Sequence, residues 1–192
     1  GGGSSAYRDT ISGNYGTEYS AQAGLASVNA LGLNNYGYTG SGIKVGVVDS
    51  GIDKTHAEFN GKTIYGQDFA SSASGYGFDE NGHGTHIAGL IGAVSNNVIG
   101  IVGTMPFNAK IMAIKIFKLD SSNQLYTNST HLYNGMQFAI LNKADVINMS
   151  LMATGTGYDS VISSALDDAL GSGITVITAM GNGNPGAQVD GS

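Results

Sequence analysis

Four predominantly apolar runs mark the chain at wide intervals: Ile43 to Val48, Lys110 to Phe117, Asp145 to Leu151 and Ile174 to Met180. Each is rich in β-branched side chains and is continuous rather than alternating, the pattern of strands covered on both faces in a parallel sheet. Between the last three the period lengthens. Leu132, Met136, Ala139 and Ile140 share one helical face, and Val161, Ile162, Ala165, Leu166, Ala169 and Leu170 form a second apolar stripe. Ahead of the first run, Ala21 to Leu31 suits a short helix that Gly32 would stop. Strands that alternate with helices predict a doubly wound α/β domain, a parallel sheet with helices on both faces and its chemistry at the carboxyl ends of the strands.

Composition narrows the function classes. Charged residues are 11% of the 192 and hydrophobic ones 41%, which suits one compact domain. A net charge of −6 provides no basic footprint for nucleic acid, so none is expected as a partner. Cys is absent, which removes disulfides and thiolate metal sites. No apolar run is long enough to predict a transmembrane segment. The 31 glycines point to tight turns and close backbone approaches.

Two segments carry candidate chemistry. Asp49 closes the first apolar run and opens Asp49-Ser50-Gly51-Ile52-Asp53; alone, such a stretch is as readily a plain turn. The second is Asn81-Gly82-His83-Gly84-Thr85-His86-Ile87-Ala88-Gly89, continuing through Leu90, Ile91 and Ala93 at helical spacing. Its glycines allow close approach to the His83 imidazole, and a helix beginning there would hold that ring; His86 is expected to turn into the packing. A zinc site built from His83 and His86 with Asp79 or Glu80 is a rival, but the spacing lacks the His-Glu-x-x-His signature. A dinucleotide site at Gly40-Ser41-Gly42 is disfavoured, because those glycines precede the strand instead of following it.

Taken together, Val47-Val48-Asp49-Ser50-Gly51-Ile52-Asp53 and His83-Gly84-Thr85-His86-x-Ala88-Gly89 resemble the Asp and His motifs of the subtilisin-like serine proteases. The likeness extends through the strand at Val146 to Leu151 and through Met180-Gly181-Asn182. It implies a serine endopeptidase in which Asp49 orients His83, His83 is the general base and Asn182 donates to the oxyanion. A polypeptide substrate would add as a strand between Ser150-Leu151-Met152 and Ser121-Ser122-Asn123. Met152 stands where the family usually has Gly, as do Ser121 and Asn123 in a Gly-x-Gly segment, and both departures bear on substrate preference. The loop Ser95-Asn96-Asn97-Val98-Ile99-Gly100-Ile101 resembles one that wraps a structural Ca²⁺. Its ligands would be the Asn97 side chain, the backbone of Ser95, Ile99 and Ile101, and Glu58 where the family often has Asp; a plain surface loop is the alternative. Glu80 is either a solvated carboxylate or one lying beside the bound peptide.

The family's nucleophile motif, Gly-Thr-Ser-x-Ala, does not occur in these 192 residues. The stretch is therefore expected to stop short of the last strands and the nucleophile helix, and to be inactive alone. The alternative is a non-catalytic pseudoprotease or peptide-binding module of the same fold. Residues 1–17 are expected to be a flexible Gly/Ser-rich tether and polar lead-in, and 18–192 a partial peptidase domain. Gly1-Gly2-Gly3-Ser4-Ser5 resembles the segment after the lipidated Cys of bacterial surface lipoproteins, although an artificial linker has the same letters. A secreted or bacterial cell-surface, extracytoplasmic location is what the resemblance implies.

Overall fold

A computed structural model describes residues 18–19, 21–71, 75–95, 97, 99–105, 109–151 and 159–179. Its centre is a five-stranded, all-parallel sheet. In chain order the strands are β1 (Lys44–Asp49), β2 (Ile64–Asp68), β3 (Lys110–Lys115), β6 (Val146–Met149) and β7 (Thr175–Thr178), arranged β2-β3-β1-β6-β7 across the sheet. A separate hairpin of β4 (Lys118–Leu119) and β5 (Leu125–Tyr126) follows β3. The four apolar runs thus become β1, β3, β6 and β7. β2 was not foreseen, because at the sheet edge Ile64-Tyr65-Gly66-Gln67-Asp68 is only half covered and carries no apolar run.

The sidedness of β1 and β3 organises everything else. Val45, Val47, Ile111 and Ala113 pack on one face with Ala88 of the helix α3 (His83–Gly92). Val48, Met112, Ile114 and Ile116 pack on the other, against Leu132, Met136 and Ala139 of α4 (Ser129–Leu141) and Ala165 and Ala169 of α5 (Ser160–Gly171). With a side-chain period of two, Asp49 and Lys115 continue the rows of Val45-Val47 and Ile111-Ala113 and belong to the α3 face. The parallel register pairs Asp49 with Lys115.

Chain direction then creates a crevice. From β1 the chain leaves toward β2 on one side, and from β6 it leaves toward β7 on the other. Where adjacent strands diverge in this way, their carboxyl ends open the crevice in which doubly wound sheets hold their ligands. Asp49 ends β1 at that point.

The expected helix over 21–31 is instead two short ones, α1 (Ala23–Ser27) and α2 (Ala30–Asn35). Asn29 breaks them by adopting a left-handed φ of 52°, a conformation its short polar side chain tolerates. Gly32 lies inside α2 rather than ending it, and the position suits glycine because a Cβ there would sit 2.5 Å from the Asn29 side-chain oxygen. α4 approaches the sheet equally closely: a Cβ on Gly135 would lie 2.8 Å from Ile116 Cγ2 and 2.9 Å from Ile114 Cγ2. Gly135→Val should overpack this contact and destabilise the domain by about 1–3 kcal/mol in urea unfolding. Wild-type stability in that variant would contradict so close a packing.

Candidate active site

Asp49 is 1% exposed, yet its carboxylate is well satisfied. His83 Nδ1 lies 2.8 Å from Oδ1 and 3.0 Å from Oδ2, and the Ser50 amide donates to Oδ1 at 2.7 Å. The imidazole is about half exposed, at 45%. Nδ1–H donating to Asp49 selects one tautomer of the neutral ring, which leaves the Nε2 lone pair as the proton acceptor.

The start of α3 is built so that this ring stays in place. A helix N-terminus leaves its first N–H groups without intrahelical partners, and here each finds a side-chain acceptor. Asp79 takes the amides of Asn81 and Gly82 on Oδ1, and the Thr85 amide and hydroxyl on Oδ2, at 3.0, 2.9, 2.9 and 2.6 Å. Ser50 Oγ accepts from the Gly84 amide at 2.9 Å and donates to Asp79 at 2.9 Å. The His83 amide reaches Asn81 Oδ1 at 3.2 Å. Thr85 Oγ1 accepts from the Asp53 amide at 2.9 Å, tying the loop after β1 to the helix.

Two glycines of the motifs have steric reasons. Gly51 has φ +113°, and a Cβ there would lie 2.9 Å from the carbonyl oxygens of Gly77 and Phe78. On Gly84 a Cβ would run into the Gly51 carbonyl and lie 3.1 Å from Asp49 Cβ. Without Gly84 the helix start could not come down onto the aspartate.

Burial works to raise the pKa of Asp79, but the hydrogen bonds from Thr85, Gly82 and Ser50 outweigh it and hold the carboxyl below its ordinary value. Asp79 was weighed only as a metal ligand in the sequence, yet it is the residue that anchors the His motif. Its position four residues before His83 is the signal that could have found it. The zinc rival finds no support. His83 Nδ1 and the Asp79 oxygens are engaged as described, and no group of three His, Asp or Glu among the described residues could hold a metal. His86 is exposed and does not turn into the packing. Glu80 accepts from Lys115 Nζ at 2.6 Å.

The expected cation loop is closed differently. Glu58 is buried; its Oε2 accepts from Asn97 Nδ2 at 2.9 Å and its Oε1 from the Ile101 amide at 2.6 Å. Asn97 Oδ1 accepts from the Ile99 amide at 3.2 Å. Calcium asks for about six to eight oxygens around one point, whereas here the Glu58 and Asn97 oxygens face N–H donors. In this arrangement the side-chain oxygens of Glu58 and Asn97 are satisfied by N–H groups of the loop. The Glu58 carboxylate lies against Gly100, where a Cβ would run into it.

The remaining expected residues divide. Ser150 follows β6, where its Oγ accepts from Asn148 Nδ2 at 2.9 Å. Leu151 joins Ile116, Leu132 and Ile162, together with Thr127, Asn128 and Ser129, in lining a cleft of about 380 Å³ at the same end of the sheet. Ser121, Ser122 and Asn123 form the tip of the β4–β5 hairpin, which closes on itself. Ser122 and Gln124 donate to Asp120 Oδ1, Asn123 donates to the Asp120 carbonyl, and Asn123 takes a left-handed φ of 59°. Met152 and Asn182 lie outside the described residues.

A buried carboxylate aimed at Nδ1 of a half-exposed imidazole, at the carboxyl end of β1, resembles the Asp and His of a Ser-His-Asp set. Residues 40–192 match the Subtilase family of peptidases, and the chain belongs to that family. It is 40% identical over 159 residues to subtilisin amylosacchariticus of Bacillus subtilis subsp. amylosacchariticus, covering 83% of this chain and 39% of that protein. Subtilisin of Bacillus pumilus is likewise 40% identical over 159 residues, with 83% and 54% covered. Among solved structures, fervidolysin from Fervidobacterium pennivorans, a keratinolytic enzyme related to subtilisin, superposes with a TM-score of 0.64 at 32% identity, over 78% of this chain and 22% of that one. The chain therefore spans about two-fifths to one-half of the Bacillus relatives it matches.

Two outcomes follow from these contacts. Because the folded pKa of Asp79 is depressed, its contribution to stability is present above the ordinary carboxylate value and is lost as pH falls below about 4. Asp79→Asn should flatten that acid limb in pH-dependent unfolding, and an unchanged limb would count against the anchor. For the loop, chelation with EDTA should leave the melting temperature unchanged, while Glu58→Ala should cost about 2–3 kcal/mol through its charge-assisted bonds.

Proposed function

We propose that the chain supplies the orienting carboxylate and the general base of a serine endopeptidase that cleaves peptide bonds through an acyl-enzyme. The observation that carries this is the 2.8 Å contact between His83 Nδ1 and the buried Asp49. A serine hydroxyl is a weak nucleophile until a base takes its proton. His83 Nε2 would accept that proton as the serine oxygen bonds to the scissile carbonyl carbon and the carbonyl π electrons move onto oxygen. The imidazolium, held by Asp49, would then return the proton to the amine as the C–N bond breaks. Water repeats the sequence to release the acyl group. Asn182 is assigned the oxyanion. The serine is one that these 192 residues do not present in its motif, so activity belongs to the whole protein.

The substrate is a polypeptide, laid beside Ser150-Leu151-Met152, with the hairpin tip Ser121-Ser122-Asn123 forming the far wall. The cleft lined by Leu151, Ile116 and Leu132 favours an apolar side chain. Hydrolysis of polypeptides fits an extracytoplasmic setting, secreted or at a bacterial cell surface. Among the described residues no helix is long and apolar enough to cross a membrane. The intact Asp49–His83 contact speaks against a purely non-catalytic module.

The full-length gene product should hydrolyse a fluorogenic peptide and be labelled by a fluorophosphonate. Asp49→Asn should lower kcat by about four orders of magnitude, the loss seen when the orienting carboxylate of a Ser-His-Asp protease is made neutral. Absence of both hydrolysis and labelling in the unmutated protein would overturn the assignment.

A further inference from the structure

Lys115 is a lysine where the sheet should want an apolar residue. It ends β3 on the α3 face, after Ile111 and Ala113, and is 2% exposed. Its ammonium donates to the Ser50 carbonyl at 2.7 Å and to Glu80 Oε2 at 2.6 Å. Burying a charge is costly even when it is paired, and an apolar side chain of similar volume is often at least as stabilising, so stability alone is a poor reason for this residue. Geometry offers a better one. Ser50 directly follows Asp49, and Glu80 lies three residues before His83. One ammonium therefore joins the two loops whose separation sets the Asp49–His83 distance, and it does so from a strand already in register with Asp49.

The surroundings accommodate this side chain specifically. A Cβ on Gly77 would overlap Lys115 Cδ and lie 2.8 Å from Lys115 Cβ. The loop before the His motif thus leaves a channel for the lysine stem. The Ile116 amide donates to the Asp49 carbonyl at 2.9 Å, so the backbone beside Lys115 also holds the aspartate.

We propose that Lys115 is a positioning residue, a clamp that holds the Asp49 and His83 loops in the relative placement that proton transfer requires, with Glu80 as its counter-ion. The proposal rests on the hydrolase assignment for its kinetic consequence and not for its structural one. Lys115 donates to the Ser50 carbonyl and to Glu80, not to the Asp49 carboxylate or the imidazole, and so acts through the loops.

The test uses the full-length gene product with Lys115→Met, which keeps stem length and removes the donor, and with Glu80→Ala, whose side chain is 51% exposed but whose loss leaves the buried ammonium without its counter-ion. Three quantities are measured: steady-state kinetics on a peptide substrate, melting temperature, and the downfield proton resonance of His83 Nδ1–H. Lys115→Met should lower kcat by about 10–100-fold, the scale of a misplacement near 1 Å, with KM changed less than about twofold. The Nδ1–H resonance should shift or broaden. Glu80→Ala should move both in the same direction by a smaller factor. An unchanged kcat and an unmoved resonance in Glu80→Ala, or a lower melting temperature without either change in Lys115→Met, would overturn the proposal. Should the unmutated protein hydrolyse no peptide, the hydrolase assignment fails, and the resonance alone decides whether Lys115 positions the pair.

Discussion

The contact between one buried carboxylate and one imidazole nitrogen is the constraint around which this domain is arranged. Asp49 can meet His83 because it occupies the α3 face of β1 by simple alternation with Val45 and Val47. α3 starts at the carboxyl end of that strand because Asp79, Ser50 and Asn81 absorb its free amides there. Neither element positions the pair alone. The strand provides direction, the capped helix provides distance, and Gly84 removes the side chain that would hold them apart.

An economy of polar groups underlies the site. Ser50 Oγ serves Asp79 and Gly84, Thr85 Oγ1 serves Asp79 and Asp53, and the Ser50 amide serves Asp49. Each of these groups is taken from water, and each would be costly if left without a partner. They form a connected set, so that a change in one alters the environment of the next. Such a set holds the half-exposed His83 ring in place through polar contacts.

Much of this was legible in the sequence, for identifiable reasons. β1, β3, β6 and β7 were readable because strands covered on both faces leave unbroken apolar runs, and α4 and α5 because their stripes are regular. Asp49 and His83 were readable because their glycine-rich settings are distinctive. β2 escaped because an edge strand has no such run, and the break at Asn29 because a single left-handed residue leaves no periodic trace. Glu58 shows another limit. A loop's likeness to a cation site does not reveal which atoms turn inward, and here the Glu58 carboxylate meets N–H donors. Lys115 was hidden inside an apolar run, where its charge looked like an interruption and its partners, Ser50 and Glu80, were far away in the chain.

The central claim concerns one proton on one ring. Long-range ¹H–¹⁵N correlation of the histidines, at a pH where the imidazole is neutral, reports which nitrogen carries it. His83 should be found with its proton on Nδ1 and a bare Nε2, in keeping with the bond to Asp49. A neutral His83 protonated on Nε2 would contradict the account, because that ring could not serve as the base.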